Sequence, residues 1–245
     1  MNFDRFPKTR PSLPSAYRNL YSRHYRENRV GATPASFLSQ KMEAWLHRQA
    51  AADVQGAASC HSTLEIGAGT LNHLLHEATR PYDIVEPFTA LYRDSPLRYR
   101  VRHIYRDLDA VPASKRYPRI LAIAVFEHLT DLPRVVARTC HLLEPEGVLR
   151  VSIPNEGTLW WDLACLLTTG LEFRVRHGLD YRVLTRHEHV NTADEIESVL
   201  TWFYRSVTLN CCGFNRRHAF YRFYACRRPD LSRALTYLES RGTYG

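Results

Sequence analysis

The chain has 245 residues, of which 44% are hydrophobic and 24% charged, and its formal net charge is +8. This length and composition indicate an ordinary globular protein with one large α/β domain. No apolar run approaches the roughly 18 residues that would cross a bilayer. The first 15 residues lack the apolar stretch of a signal peptide, so we expect a flexible polar lead-in.

Cysteines and basic residues are both dispersed along the chain. The six cysteines form no C-x-x-C pair, which favours reduced thiols and a cytoplasmic location. Seven Arg or Lys residues lie in the first 30 positions without forming a block. Such charge suits a solvated surface, but it also suits nucleic acid, anionic lipid or a phosphorylated substrate.

The first elements in chain order are a helix, a strand and a second helix. Residues 35–52 predict a helix, because their apolar positions fall on one side, and 53–61 read as a linker of small residues. Residues 62–66 predict a strand that runs into a glycine turn. The helix expected after that turn has apolar residues at helical spacing: Leu71, Leu74, Leu75 and Ala78.

Further strands alternate with helices through the middle of the chain. Short apolar runs predict strands at 82–86 and 101–105. The continuous apolar run at 119–125 is typical of a central parallel strand covered on both faces. A helix over 131–143 then leads to a strand at 148–153. Five strands alternating with helices indicate a doubly wound parallel sheet.

The last third of the chain has a different pattern. A helix is expected near 192–203, and two strand-like segments follow at 206–212 and 219–226. The short GFNRRH connection suggests that these two form an antiparallel pair at the sheet edge.

The stretch LEIGAGT at 64–70 places an acidic residue inside the first strand. A buried carboxylate is costly unless it is paired, so Glu65 indicates a ligand with donors to offer. Gly67 and Gly69 give the backbone freedom and allow close approach. The dinucleotide fingerprint would need a third glycine where the chain has Asn72, which argues against a nicotinamide dehydrogenase.

Four motifs in order resemble one enzyme family. LEIGAGT, then VEPF (85–88), then RDLD (106–109), then VFEHLTDLPRVVARTCHLLEPEGVLRVSIPN (125–155) are similar to the class I S-adenosylmethionine-dependent methyltransferases. The resemblance is to the small-molecule and glycan branch, which has an EH pair after strand four. It covers about residues 60–155 and implies an α/β, Rossmann-like, doubly wound and mostly parallel seven-stranded sheet with an antiparallel last strand.

The resemblance implies a domain layout and a cofactor, S-adenosyl-L-methionine. We expect an N-terminal helical cap over 1–55, a cofactor-binding core over 56–155, and a substrate-side insertion with the last strands over 156–245. In the family, the acidic position matched by Glu65 receives the amino group of the cofactor. Gly67 and Gly69 would then let the methionine part lie over the turn.

The ribose and adenine contacts follow from the same resemblance. Glu86 ends strand two, 19 residues after Gly67, where nucleotide-binding α/β folds place the carboxylate for the ribose hydroxyls. Asp107 matches the acceptor of the adenine amino group, although Asp109 could take that place and leave Asp107 as a turn residue. The remaining expected cofactor contacts are Leu108 and Phe126.

The base that would accept a proton from the methyl acceptor has two candidate locations. His128 lies just past strand four, at the carboxyl edge where such sheets bind ligands. His187 and His189 lie in the stretch 177–191 and would point the same way if that segment is extended. In some relatives an E-x-x-E-H run and a distant histidine bind a metal. The first acidic position here is Ala124, so no metal is expected.

Residues after strand five are the expected substrate contacts. Paired tryptophans at 160 and 161 could stack on a sugar, lie at a membrane surface or pack a lid helix. The substrate residues predicted on this basis are Asn155, Glu156, Trp160 and Tyr181.

These patterns favour methylation of a hydroxyl on a small molecule or glycan, phosphorylated or lipid-linked acceptors included. A nucleic-acid methyltransferase or binding protein is the main alternative. It is disfavoured because AVFEH replaces the N/D-P-P-Y/F run of amino-group methylases and no basic–aromatic stripe occurs. A non-catalytic cofactor-binding scaffold is the third option. No membrane-spanning segment is expected, and peripheral contact with a membrane stays open.

Overall fold

In the computed structural model, the described residues are 3–18, 20, 36–54, 62–78, 80–155, 158, 170–213 and 215–242. They form one seven-stranded sheet flanked by helices. The strands are β1 (Thr63–Ile66), β2 (Tyr82–Val85), β3 (Val101–Tyr105), β4 (Tyr117–Ile123), β5 (Leu143–Pro154), β6 (Tyr204–Gly213) and β7 (Ala219–Pro229).

The sheet order is β3-β2-β1-β4-β5-β7-β6. The first five strands in this order pair in parallel. Strand β7 runs antiparallel to both β5 and β6. The predicted doubly wound sheet and the predicted antiparallel pair are therefore confirmed, and the carboxyl ends of β1, β2 and β4 meet at one edge.

The helix predictions at 35–52, 131–143 and 192–203 are confirmed, and they account for three of the seven helices that the described residues form. The seven helices are α1 (Ser36–Ala51), α2 (Thr89–Tyr92), α3 (Leu132–Leu142), α4 (Leu171–His177), α5 (Tyr181–Glu188), α6 (Ala193–Phe203) and α7 (Leu231–Ser240). Helix α6 begins at a capping box, in which the Thr192 hydroxyl accepts from the Glu195 amide and the Glu195 carboxylate accepts from the Thr192 amide. Helices α3, α6 and α7 bury their apolar faces against one face of the sheet.

The N-terminal segment is part of the core, so the expectation of a flexible polar lead-in is wrong. Phe3 is 8% exposed and Phe6 1% exposed. The Phe3 ring stacks on Phe203 at 5.8 Å, and the Arg241 guanidinium donates to the Phe3 carbonyl. Two phenylalanines in a polar, proline-containing stretch supply enough apolar area to anchor it. This anchoring carries residues 8–11 toward the carboxyl edge of the sheet.

The helix predicted after the glycine turn is reduced to a 3₁₀ turn at Asn72–Leu75. Leu71 has φ +68°, a left-handed conformation that interrupts a helix at its first residue. The Arg100 guanidinium donates to the carbonyls of Leu74 and Glu77. A distant side chain therefore takes the place of helical N–H donors, and Leu75 is left 71% exposed.

None of the helices in the described ranges is long and apolar enough to cross a membrane. The four cysteines within those ranges are all free thiols, two of them in the core: Cys140, Cys211, Cys212 and Cys226.

Candidate functional site

The turn after β1 requires glycine for two reasons. Gly67 has φ +68°, and its amide donates to the Val85 carbonyl at 2.8 Å. A Cβ built on Gly67 would lie 2.4 Å from Cγ2 of Val125, in the loop after β4. Gly69 has φ +52°, also in the left-handed region. Both glycines therefore allow a left-handed backbone in this turn, and Gly67 also allows a close approach to Val125 that a side chain would prevent.

The carboxylate of Glu86, the residue that follows β2, is hydrogen-bonded to the backbone of the glycine turn. It is 5% exposed, and its two oxygens accept from the amides of Gly69 at 2.8 Å and Phe88 at 2.9 Å. A carboxylate has about four lone-pair sites, so these two bonds leave acceptor capacity toward the glycine turn. The residues present thus fit the ribose of an adenosine-containing cofactor lying over the turn.

Glu65 has a protein partner that the sequence did not reveal. The Tyr82 hydroxyl donates to Oε2 of Glu65 at 2.8 Å, and Glu65 is 3% exposed. Burial raises the pKa of Glu65 to about 7, although the hydrogen bond from Tyr82 opposes that rise. Tyr82 pairs with Thr63 across the β1–β2 ladder. The contact depends on this register, which sequence alone could not supply.

A buried polar network lies beside Glu65 and joins α1 to the sheet. Arg119 of β4 forms ion pairs with Glu77 and, at 3.1 Å, with Asp53. The imidazoles of His47 and His73 meet at 3.1 Å between their Nδ1 atoms. Burial lowers the pKa of His73 to about 4, so its ring is neutral at physiological pH. Charged and neutral groups thus share one largely buried network between α1 and the sheet.

The loop after β3 separates the two aspartates considered for adenine. Asp107 is exposed, and its Oδ1 accepts from the Ala110 amide at 2.8 Å. Asp109 instead forms ion pairs with Arg134 at 2.9 Å and Arg138 at 3.1 Å. Because Asp109 is held against α3, Asp107 is the carboxylate better placed to bind a ligand, in addition to its turn-forming bond.

Two other predicted cofactor contacts lie in the core. Leu108 is 6% exposed and Phe126 0% exposed, and both pack in the main hydrophobic cluster. The Phe126 carbonyl also accepts from the Asn191 side chain. Phe126 therefore has no surface to offer a ligand unless its neighbours move.

The structure brings two of the three predicted histidines together. Ala124, with φ +52°, turns the chain at the end of β4, and the 3₁₀ turn Phe126–His128 follows. The rings of His128 and His189 lie 4.6 Å apart, edge to face. The Nδ1 atom of His128 is 3.1 Å from the Glu188 carbonyl. A carbonyl can only accept, so we assign the proton to Nδ1, which makes Nε2 the basic atom.

Backbone contacts hold the His189 segment against the His128 turn. The amides of Val190 and Asn191 donate to the Glu127 carbonyl at 2.8 and 3.1 Å. The Asn191 side-chain amide donates to the carbonyls of Phe126 at 2.8 Å and Leu129 at 2.7 Å. Asn191, which sequence reasoning missed, therefore fixes the distance between two segments some 60 residues apart in the chain.

His187 lies apart from this pair. Its segment is the helix α5, and only His189, at the helix end, is extended. His187 Nδ1 lies 2.6 Å from the Pro11 carbonyl, so its ring faces the N-terminal segment. The expectation that His187 and His189 point the same way is wrong, because it assumed an extended segment.

The His128 turn also contains a group of potential metal ligands. Nitrogen or carboxylate atoms of His128, Glu188 and His189 all lie within 4.8 Å of one another, and all three residues are half-buried. This group differs from the E-x-x-E-H run of some relatives, whose first acidic position is Ala124 in this chain. Two imidazoles and a carboxylate at this spacing can transfer a proton or ligate a divalent cation.

Two of the four predicted substrate residues, Asn155 and Tyr181, lie in the part of the chain that the structure describes. Asn155 is 0% exposed, and its side-chain amide donates to the carbonyls of Arg216 at 3.0 Å and Ala219 at 2.7 Å, which ties β5 to the β6–β7 turn. Tyr181 packs against Phe173, with ring centroids 5.5 Å apart. The other two predictions, Glu156 and Trp160, lie outside the described residues.

Comparison with protein families identifies one match. Residues 35–219 match the family model described as "Methyltransferase domain". This range includes the glycine turn, Glu86, Asp107 and the histidine pair. No curated protein matches the chain.

Solved structures share the fold at low sequence identity. A possible histamine N-methyltransferase from Thermotoga maritima superposes with a TM-score of 0.57 at 13% identity, covering 87% of this chain and 98% of that one. The N-methyltransferase NodS from Bradyrhizobium japonicum, in complex with S-adenosyl-L-homocysteine, gives 0.56 at 18% identity, with 89% and 100% coverage. Some other methyltransferases are longer: the chain spans 50% of the CurJ carbon methyltransferase and 35% of coclaurine N-methyltransferase.

Proposed function

The chain belongs to the methyltransferase-domain family of class I S-adenosylmethionine-dependent methyltransferases, and on that premise we propose that it methylates a hydroxyl oxygen of a small-molecule or glycan acceptor in the cytoplasm. The glycine turn, Glu86 and the His128 turn all lie at the carboxyl edge of the sheet. Ligands of open α/β sheets bind at this edge.

The cofactor side of the proposed site consists of five residues. Gly67 and Gly69 form the surface over which the methionine part would lie, and Glu86 offers acceptors to the ribose hydroxyls. Glu65 would receive the amino group and Asp107 the adenine amino group. When bound, the cofactor supplies a methyl group already activated on a sulfonium centre. The protein is left to align the acceptor oxygen and to remove its proton.

The observation that carries the proposal is the orientation of His128. Its Nδ1–H donates to the Glu188 carbonyl, so Nε2 is the basic atom of the ring. The carboxylate of Glu127, 3% exposed at its side chain, lies 4.0 Å from this Nε2 and would stabilise the imidazolium once it forms. The ring of His189 stands beside it. We propose that His128 accepts the proton and that His189 orients the acceptor.

The preference for oxygen follows from the chemistry of proton removal. An alcohol or phenol must lose its proton as it attacks, so a held base contributes to the rate, typically 10²–10⁴-fold. A neutral amine attacks before it loses a proton and needs a base less. The EH pair, Glu127 and His128, therefore supports assignment to the branch that the sequence resembles, with phosphorylated or lipid-linked acceptors compatible with the net charge.

The test is transfer of a labelled methyl group from S-adenosyl-L-methionine to panels of phenols, sugars and sugar nucleotides, with amines and RNA as comparison substrates. We expect an O-methylated product, and a loss of turnover in His128→Ala at unchanged cofactor affinity. His187→Ala is the matched control, because that ring faces Pro11. Methylation confined to amines or RNA would overturn the oxygen assignment.

A further inference from the structure

The N-terminal segment contacts both of the segments that carry the histidines, residues 128–130 and residues 187–191. The contact between these two segments is called the seam below. The Lys8 amide donates to the Thr130 carbonyl at 2.8 Å, just after the His128 turn. The Lys8 ammonium donates to the Val190 carbonyl at 2.6 Å, just after His189. One residue of the N-terminal segment therefore contacts both sides of the seam, and Arg10 follows two positions later.

Arg10 contacts three main-chain carbonyls at this seam. Its Nη1 donates to Glu188 at 3.0 Å and to His187 at 3.2 Å, and its Nη2 donates to His128 at 2.5 Å. The first two carbonyls belong to the last turn of α5, where a cation is favoured by the helix dipole. The third belongs to the catalytic candidate itself. A single guanidinium thus bridges α5 and the His128 turn.

The Glu188 carbonyl has two donors, and this links Arg10 to the base. It accepts from Arg10 Nη1 at 3.0 Å and from His128 Nδ1 at 3.1 Å. The carbonyl must keep its position for Nδ1 to retain its proton and for Nε2 to remain the basic atom. Arg10 donates to that carbonyl and to the carbonyl of His128. It therefore restrains both residues of the hydrogen bond between His128 Nδ1 and the Glu188 carbonyl, which orients the ring.

We propose that Arg10 is a positioning residue for methyl transfer, one that holds His128 in the tautomer and orientation required of the base. The inference rests on the proposed function. Arg10 touches neither acceptor nor cofactor in this account, and it acts through the Glu188 carbonyl. Lysine would replace it poorly, because Arg10 uses two nitrogens of a rigid planar guanidinium, whereas a lysine ammonium is a single, strongly hydrated point charge.

The experiment compares Arg10→Ala and Arg10→Lys with Arg5→Ala. Arg5 is a matched control, since it lies on the same segment but pairs with Glu195 and is 52% exposed at its side chain. We expect kcat to fall about 10- to 100-fold in both Arg10 variants, as for loss of a hydrogen bond to a charged group. The acceptor KM and the cofactor Kd should change less than threefold. Arg5→Ala should retain its kcat.

Three readouts separate positioning from a general loss of structure. Free guanidinium at millimolar concentration should restore part of the kcat of Arg10→Ala and none of that of His128→Ala. In the His128→Ala background, Arg10→Ala should lower kcat no further, because the two residues act on one step. In ¹⁵N-histidine NMR spectra, His128 should show a protonated Nδ1 in the wild type and a mixture of tautomers in Arg10→Lys.

An unchanged kcat in Arg10→Lys, an additive cost in the double variant or an unaltered His128 spectrum would overturn the inference. If Arg10→Ala does not fold, Arg10→Lys keeps the test intact, because it retains the charge. A wild-type protein that binds no cofactor would instead refute the proposed function. The two failures are therefore distinguishable.

Discussion

Replacing Glu65 with glutamine should remove a pH-dependent cost from the folded protein. The carboxyl group is buried under the glycine turn, and burial raises its pKa from 4.5 to about 7. Because the folded state holds this proton more tightly than the unfolded chain, the stability contributed by Glu65 is fully present below pH 4.5. It is lost as the pH rises through 7. At about 1.4 kcal/mol per pKa unit, the full effect is about 3 kcal/mol.

The assay is urea unfolding followed by circular dichroism at pH 5 and pH 8. Glutamine resembles the protonated acid and can still accept from the Tyr82 hydroxyl, so Glu65→Gln should keep the fold. The free energy of unfolding of the wild type, relative to Glu65→Gln, should fall by about 2.5 kcal/mol between the two pH values. Glu146→Gln, at an exposed glutamate, is the control and should show no such change. A difference that stays constant from pH 5 to pH 8 would refute the reasoning.

The same carboxyl group links pH to cofactor binding. If Glu65 receives the cofactor's amino group, the ionised form is the one that binds. The affinity of the wild type for S-adenosyl-L-methionine should then rise with pH up to about 7. Glu65→Gln should bind more weakly and show no such pH dependence.

Three other changes test the site. His128→Ala should lower turnover by roughly 10²–10⁴ at constant cofactor Kd, whereas His187→Ala should stay within about threefold of the wild type in steady-state assays. Gly67→Ala should lower the free energy of unfolding by about 2–4 kcal/mol in thermal unfolding, because alanine is strained in the left-handed conformation and its Cβ would clash with Val125. A variant as stable as the wild type would contradict the turn geometry. Prolonged dialysis against a chelator should leave turnover unchanged if His128 acts as the base without a metal. A loss that Mn²⁺ or Zn²⁺ restores would show instead that His128, Glu188 and His189 ligate a metal.

The strands were predictable because short apolar runs between turn residues encode them directly. The prediction for β3 matches its bounds, 101–105, and those for β1 and β2 agree within one residue. Glu86 could be located for the same reason, since a strand end fixes the position of the residue that follows it. These features depend on local pattern and on the fixed order of parallel strands.

The contacts that complete the site depend on long-range geometry. The pairing of His128 with His189 spans some 60 residues and is held by Asn191, whose side chain gives no sequence signal of such a role. The contacts of Arg10 could not be predicted, because the segment that carries it is anchored by two phenylalanines in an otherwise polar stretch. The lost helix after Gly69 has a similar cause, since Arg100 binds carbonyls that a helix would use.

The most direct test of the central assignment is isothermal titration of S-adenosyl-L-methionine into the wild type and into Glu86→Ala. The carboxylate of Glu86 closes the glycine turn and is the proposed acceptor of two ribose hydroxyls. We predict one site per chain in the wild type and a loss of affinity of at least about 30-fold in Glu86→Ala. His128→Ala should bind as the wild type does. Absence of binding in the wild type, or equal affinity in Glu86→Ala, would contradict the account.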